Sequence, residues 1–152
     1  MSGPGRILVA TDLSPSAAPA FEQALALARG FEAKLLVAHA YQDHHLPRAG
    51  FATPESWEEW DRGYREEARR ALAPLVQRAW EEGLEAEAVL LTGFPDEAIV
   101  EAARRLEADL VVVGTHGRRG AAHFLLGSVA ARVVATAPCP VLVARPAAPP
   151  AA

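Results

Sequence analysis

The sequence predicts an α/β fold, an open parallel five-stranded sheet with helices on both faces. Four short apolar runs lack polar alternation, which is typical of strands buried on both faces. They are residues 7–10, 35–38, 110–113 and 141–144. With a further strand between the second and third runs and helices between all five, the order predicts a Rossmann-like sheet with strand order 3-2-1-4-5.

The further strand is predicted over residues 85–91, which begin with an alternation of glutamate and alanine. Such alternation is typical of an edge strand, and Glu85 and Glu87 would guard its exposed side.

Proline and glycine mark the ends of the predicted helices. The helices are predicted from Ser14-Pro15 or Ala18-Pro19 to Gly30, and over about 54–82, 95–107 and 127–137. We expect Gly30 and Gly83 to end the first two helices, and Pro74 to kink or split the second.

Composition indicates one soluble cytoplasmic domain. The 152 residues suit a single domain over 1–145, followed by a Pro/Ala-rich tail, 146–152, that we expect to be disordered. A net charge of -4 argues against a nucleic-acid partner. Cys139 is the only cysteine, which suits an intracellular chain. We expect no membrane partner, because no run is long enough to span a bilayer and the first residues lack the apolar stretch of a signal peptide.

The predicted topology points to a ligand site. In the order 3-2-1-4-5 the chain reverses direction between strands 1 and 4, and ligands bind at such a switch point, outside the carboxyl ends of the strands. Gly114 and Gly117 follow strand 4, where the lack of a Cβ lets the backbone approach a ligand. Gly127-Ser128 begins the last helix, whose N–H groups and dipole favour phosphate. Asp12 follows strand 1, where its carboxylate would hold a ribose hydroxyl or a metal-bound water.

These residues carry a family resemblance. The spacing Gly114-x2-Gly117-x9-Gly127-Ser128 resembles the ATP-binding motif of the universal stress proteins. Residues 93–99 and 137–143, and Thr11-Asp12 followed by Ser14, resemble other segments of that family. The resemblance runs from about Arg6 to Arg145.

The resemblance implies an ATP-binding member of the family, with ATP, AMP or ADP bound together with Mg²⁺. It implies adenine contacts from Ala10, Thr11, Asp12 and Ala40. It implies sugar and phosphate contacts from Val113, Gly114, His116, Gly117, Gly127, Ser128 and Val129. Ala40 is smaller than the aliphatic residue that is usual at its place.

We therefore expect a nucleotide-sensing regulatory or stress-response module, read by a protein partner whose identity the sequence does not give. The alternatives are a slow ATPase or nucleotidyl-transferring enzyme on the same fold, and a flavin-binding electron-transfer module. The sequence contains neither a Walker motif nor a Ser-Gly-Gly-x-Asp-Ser loop, and no nucleophile–base pair is visible. No catalytic residue is therefore assigned.

Other conspicuous residues are given structural interpretations. Asp43-His44-His45 resembles a metal patch, but adjacent residues seldom face one site, so we expect a surface loop and no protein metal site. His39 and Cys139 are expected to be structural. The aromatic residues Trp57, Trp60 and Tyr64 are expected to pack, and Arg118 and Arg119 to lie in a solvated loop.

The last predicted strand suggests a homodimer. Residues 141–144 are apolar and uncharged, yet the strand order places them at an edge, where free N–H and C=O groups invite another strand. A two-fold axis would pair this strand with its copy in antiparallel orientation. The resemblance implies the same arrangement.

Overall fold

One parallel sheet organises the chain. A computed structural model describes residues 3–41, 54–115 and 126–146. The strands are β1 (Arg6–Ala10), β2 (Lys34–Tyr41), β3 (Ala86–Thr92), β4 (Leu110–Gly114) and β5 (Val141–Ala144). The helices are α1 (Ala18–Phe31), α2 (Pro54–Glu81), α3 (Pro95–Arg105) and α4 (Ser128–Thr136). The sheet order is β3-β2-β1-β4-β5 with every pair parallel, so the predicted α/β fold and strand order are confirmed.

Two apolar layers flank the sheet, because successive strand residues point to opposite faces. On the first face, alternate residues of β1 and β2 pack beneath α1 and α2, and on the second face the intervening residues pack beneath α3 and α4. Ile7, Leu8 and Val9 of β1 are all 0 % exposed, which places β1 at the centre of the molecule.

The left-handed residues explain where the helices end. Gly83 has φ +80° directly after α2, as the sequence predicts. The prediction for Gly30 is wrong, because Gly30 lies inside α1 and the left-handed position that ends this helix is Glu32, with φ 54°. The helix continues past Gly30 and ends one turn after its last buried residue, Ala28.

Pro74 does not split α2, which runs unbroken over 28 residues. A proline in a helix interior costs about 3 kcal/mol. Leu72 and Val76, on either side of Pro74, are 0 % and 5 % exposed. Burying two such side chains contributes about 1.5–3 kcal/mol each, so packing on the first face offsets the cost of the proline.

The two edges of the sheet differ. At β3, the Lys34 ammonium contacts the carboxylates of Glu85 and Glu87 at 3.2 and 3.0 Å, and the Trp80 indole N–H donates to the Ala86 carbonyl at 3.0 Å. The prediction that β3 is an edge strand is confirmed. At β5 only Ala144 is buried, so burial on both faces is a wrong expectation for this strand. An edge strand has a neighbour on one side only and is therefore less covered.

Over the described ranges, no helix is both long enough and apolar enough to cross a membrane.

The same substitution at two glycines should have opposite effects on stability. Gly30→Ala should raise the free energy of unfolding by about 0.5–1 kcal/mol, because Gly30 is helical and nothing lies within 4 Å of an added Cβ. Gly83→Ala should lower it by about 1–2 kcal/mol, because φ is +80° although the space is equally open. Urea denaturation of both variants measures these changes, and shifts of the same sign would contradict the assignment of the two helix ends.

Candidate functional site

The candidate site lies at the carboxyl ends of the parallel strands, where β1 stands between β2 and β4. Ala10 is level with Ala38 of β2, and Val9 is level with Val112 of β4. Continuing the second register places Thr11 level with Gly114. The two ends that the sequence singled out are therefore neighbours at the switch point.

A main-chain hydrogen bond joins the start of α4 to the end of β4. The Gly127 N–H donates to the Thr115 carbonyl at 2.7 Å. The next bond in α4 runs from the Ala131 N–H to the Gly127 carbonyl at 2.9 Å, so the N–H groups of Ser128 and Val129 precede the intrahelical ladder. These N–H groups and the positive end of the helix dipole stand beside Gly114, an arrangement suited to an anion.

A tight turn follows β1 and holds Asp12. The Thr11 hydroxyl oxygen accepts from the Leu13 N–H at 3.0 Å, and Asp12 Oδ1 accepts from the Ser14 N–H at 2.9 Å and from the Ser14 hydroxyl. Leu13 adopts φ 65°, a left-handed conformation that is uncommon for a leucine and is held by these bonds. Sequence reasoning missed the role of Leu13 and Ser14, although Asp-x-Ser is a signal for such a side-chain turn.

Asp12 stabilises this turn rather than the start of α1. The first helical residues after it are the short 3-10 turn Pro15–Ala17, which begins after Ser14. Asp12 is half-buried, and its Oδ2 atom is withdrawn from solvent. Its carboxylate is therefore withdrawn from the open surface.

The carboxyl end of β2 contributes Ala40 and His39. Ala40 is half-buried and packs against the core of the second face. His39 is 5 % exposed, and its Nδ1 lies 2.9 Å from the Thr11 carbonyl oxygen. The expectation that His39 is a structural residue agrees with this burial, and the bond ties it directly to the turn that carries Asp12.

Some of the residues predicted to contact the nucleotide have side chains that are buried in the core. Val113 is 3 % exposed and belongs to the core of the second face, so a ligand would meet only its main chain. Val129 is half-buried against the same core. His116, Gly117, Arg118 and Arg119 lie outside the described residues, as do Asp43, His44 and His45.

The remaining candidates have surroundings that suit structural roles. Cys139 is half-buried, and burial, together with the nearby charge of Asp109, raises the pKa of its thiol, which disfavours a reactive thiolate. Trp60 and Tyr64 stack on each other with ring centroids 5.6 Å apart. Within residues 3–41, 54–115 and 126–146, no three His, Cys, Asp or Glu side chains cluster as metal ligands.

The fold places the chain among the α/β proteins with an open parallel sheet and a topological switch point, here between β1 and β4. Residues 4–145 match the model of the universal stress protein family, and the chain belongs to that family.

Similar proteins include a universal stress protein of Thermus aquaticus, 39 % identical over 140 residues, which cover 91 % of this chain and 97 % of that one. A universal stress protein solved in complex with cAMP is 30 % identical, with a TM-score of 0.66 over 95 % of this chain and 98 % of that one. A universal stress protein family protein of Arabidopsis thaliana, solved with AMP bound, is 27 % identical, with a TM-score of 0.68 over 95 % and 94 % of the two chains.

Proposed function

We propose that this protein is an adenine-nucleotide-binding regulatory module that holds ATP, ADP or AMP at the carboxyl edge of its sheet. The observation that carries the proposal is the hydrogen bond from Gly127 to Thr115, because it fixes the open N–H groups of α4 beside the crevice between β1 and β4. A phosphate at this point would accept from the Ser128 and Val129 N–H groups.

The nucleotide fits the groups that surround the crevice. Gly114 and Gly127 have no side chain to obstruct a phosphate, and the Asp12 carboxylate supplies an acceptor for a ribose hydroxyl or for water on Mg²⁺. The adenine would lie toward the turn after β1 and Ala40. Two structural relatives were solved with adenine nucleotides, AMP and cAMP, which supports this class of ligand.

A regulatory role is favoured over rapid catalysis. Near the described part of the proposed site, the groups able to move a proton are Asp12 and His39. Asp12 Oδ1 accepts from Ser14, and His39 is buried with its Nδ1 at the Thr11 carbonyl. A water-activating base must be aimed at the reacting atoms, whereas Asp12 would accept from a ribose hydroxyl or a Mg²⁺-bound water and the buried His39 would not reach the ligand. Nucleotide occupancy would instead set the surface that a protein partner recognises. A slow ATPase or nucleotidyl transferase remains the alternative.

The same chain is proposed to form a homodimer through β5. The Val111 N–H donates to the Pro140 carbonyl at 3.0 Å, and Val111 is level with Val141. In a parallel ladder this alternation turns the N–H and C=O groups of Val141 and Val143 away from β4, toward the open edge. At the β3 edge, the charged Lys34 pairs with Glu85 and the Trp80 indole occupies the Ala86 carbonyl, which disfavours pairing with another strand. The β5 edge is therefore the one suited to pairing.

Gly127→Val should weaken ATP binding at least about tenfold, roughly 1.4 kcal/mol, because the branched side chain would obstruct the phosphate. The backbone accepts valine here, since φ is -60° and ψ is 157°. Gly30→Val, near the C-terminal end of α1, is the matched control and should bind as the wild type does. Isothermal titration with an unchanged affinity in folded Gly127→Val would refute the site.

ATP hydrolysis should be far slower than ordinary enzyme turnover, which is roughly 1 per second or more. A steady-state phosphate-release assay with Mg²⁺ measures it. Turnover in the ordinary range that disappears in His116→Ala would assign the protein to the enzyme alternative.

Val143→Pro should shift the dimer toward monomer, because proline removes an N–H that points to the open edge. Val143→Thr keeps both the N–H and the branched shape and should remain dimeric. Light scattering after size exclusion, at micromolar protein, measures the mass. A wild-type mass equal to one 16.2 kDa chain at every concentration would rule out the dimer.

A further inference from the structure

We propose that His39 is a positioning residue of the nucleotide site, which orients the peptide between Thr11 and Asp12 without touching the ligand. This inference rests on the proposed nucleotide binding and adds to it a residue that acts from inside the core. Its basis is the contact between the buried His39 ring and the Thr11 main chain, 28 residues earlier in the sequence.

The hydrogen bond to Thr11 fixes which ring nitrogen of His39 carries a proton. His39 Nδ1 lies 2.9 Å from the Thr11 carbonyl oxygen, and a carbonyl only accepts, so Nδ1 carries the proton. In the neutral ring Nε2 is then the acceptor. Because the side chain is 5 % exposed, water cannot readily replace the ring as the partner of the carbonyl.

Thr11 is held by β2 at both of its main-chain groups. Its N–H donates to the Ala38 carbonyl at 2.9 Å, which extends the ladder between β1 and β2 by one residue. Its carbonyl turns to the His39 ring. β2 therefore sets the orientation of Thr11, the residue that follows β1, and the turn that carries Asp12 begins from this fixed residue.

The consequence reaches Asp12 through the planarity of the peptide. All peptide bonds of the described residues are trans, and in a trans peptide the C=O and the following N–H point in opposite directions. With the Thr11 carbonyl directed at β2, the Asp12 N–H is directed away from β2, on the side of β4. Loss of the His39 bond would free this peptide to rotate and would move the Asp12 carboxylate with it.

Two substitutions separate the hydrogen bond from the volume of the side chain. His39→Leu fills similar space and carries no donor. His39→Asn carries an amide N–H₂ group close to the place of Nδ1 and restores the donor. Val37→Ala, on the same face of β2 and 0 % exposed, is a control that removes core contacts without involving Thr11.

The test is isothermal titration of ATP and of AMP into each folded variant, with thermal unfolding of the same samples. We expect His39→Leu to raise the Kd at least about tenfold and His39→Asn to keep it within about threefold of wild type. Val37→Ala should lower the Tm and leave the Kd unchanged, because stability alone does not set affinity. A His39→Leu variant that binds as the wild type does, or an Asn variant as weak as the Leu variant, would overturn the positioning role.

Nitrogen-15 NMR of the imidazole ring tests the geometry independently of binding. The ligand-free protein should show His39 protonated at Nδ1, and a neutral ring protonated at Nε2 would overturn the inference even if nucleotide binds. If the wild type binds neither ATP nor AMP while the Nδ1 tautomer is present, it is the proposed function that fails, and with it the positioning of a nucleotide site.

Discussion

The pairing of β1 on both of its sides is the constraint on which the rest of the structure depends. Its three central residues are fully buried, and its ladders to β2 and β4 fix the relative level of all three strand ends. Its start is fixed as well, because the Asp109 carboxylate accepts from the Gly5 and Arg6 N–H groups at 2.9 Å each. With β1 anchored at both ends, the turn that follows it has little freedom.

That rigidity is transmitted to the site mainly by main-chain groups. The Thr11 carbonyl, the Thr115 carbonyl and the Gly127 N–H each have a fixed partner, and these bonds set the position of Asp12 and of α4. A side chain on a flexible loop would have to be ordered by the ligand, at a cost in affinity. In the proposed site, the strands would fix the described groups before a ligand binds.

The sequence allowed the sheet to be predicted because uninterrupted apolar runs and their spacing specify buried parallel strands. It failed where local and tertiary preferences conflict. Gly30 is a typical stop signal, yet α1 continues to Phe31 and ends at the left-handed Glu32. The candidate site residues are a prediction from topology, motif spacing and family resemblance, none of which reveals which side chain meets which carbonyl. For that reason the bond between His39 and Thr11, which depends on the register of β1 and β2, was not predicted.

A site built from main-chain groups has a consequence for specificity. In the proposed site, backbone N–H groups at α4 would recognise phosphate oxygens in any nucleotide, so they would contribute affinity with little discrimination between bases. Discrimination would then come from the side chains at the proposed base end, of which Ala40 is small and half-buried. A small side chain there leaves more room beside the base than a larger aliphatic one would. In the proposed site the phosphate end would thus be constrained by the fold, whereas the base end would change its selectivity through single substitutions that leave the sheet intact.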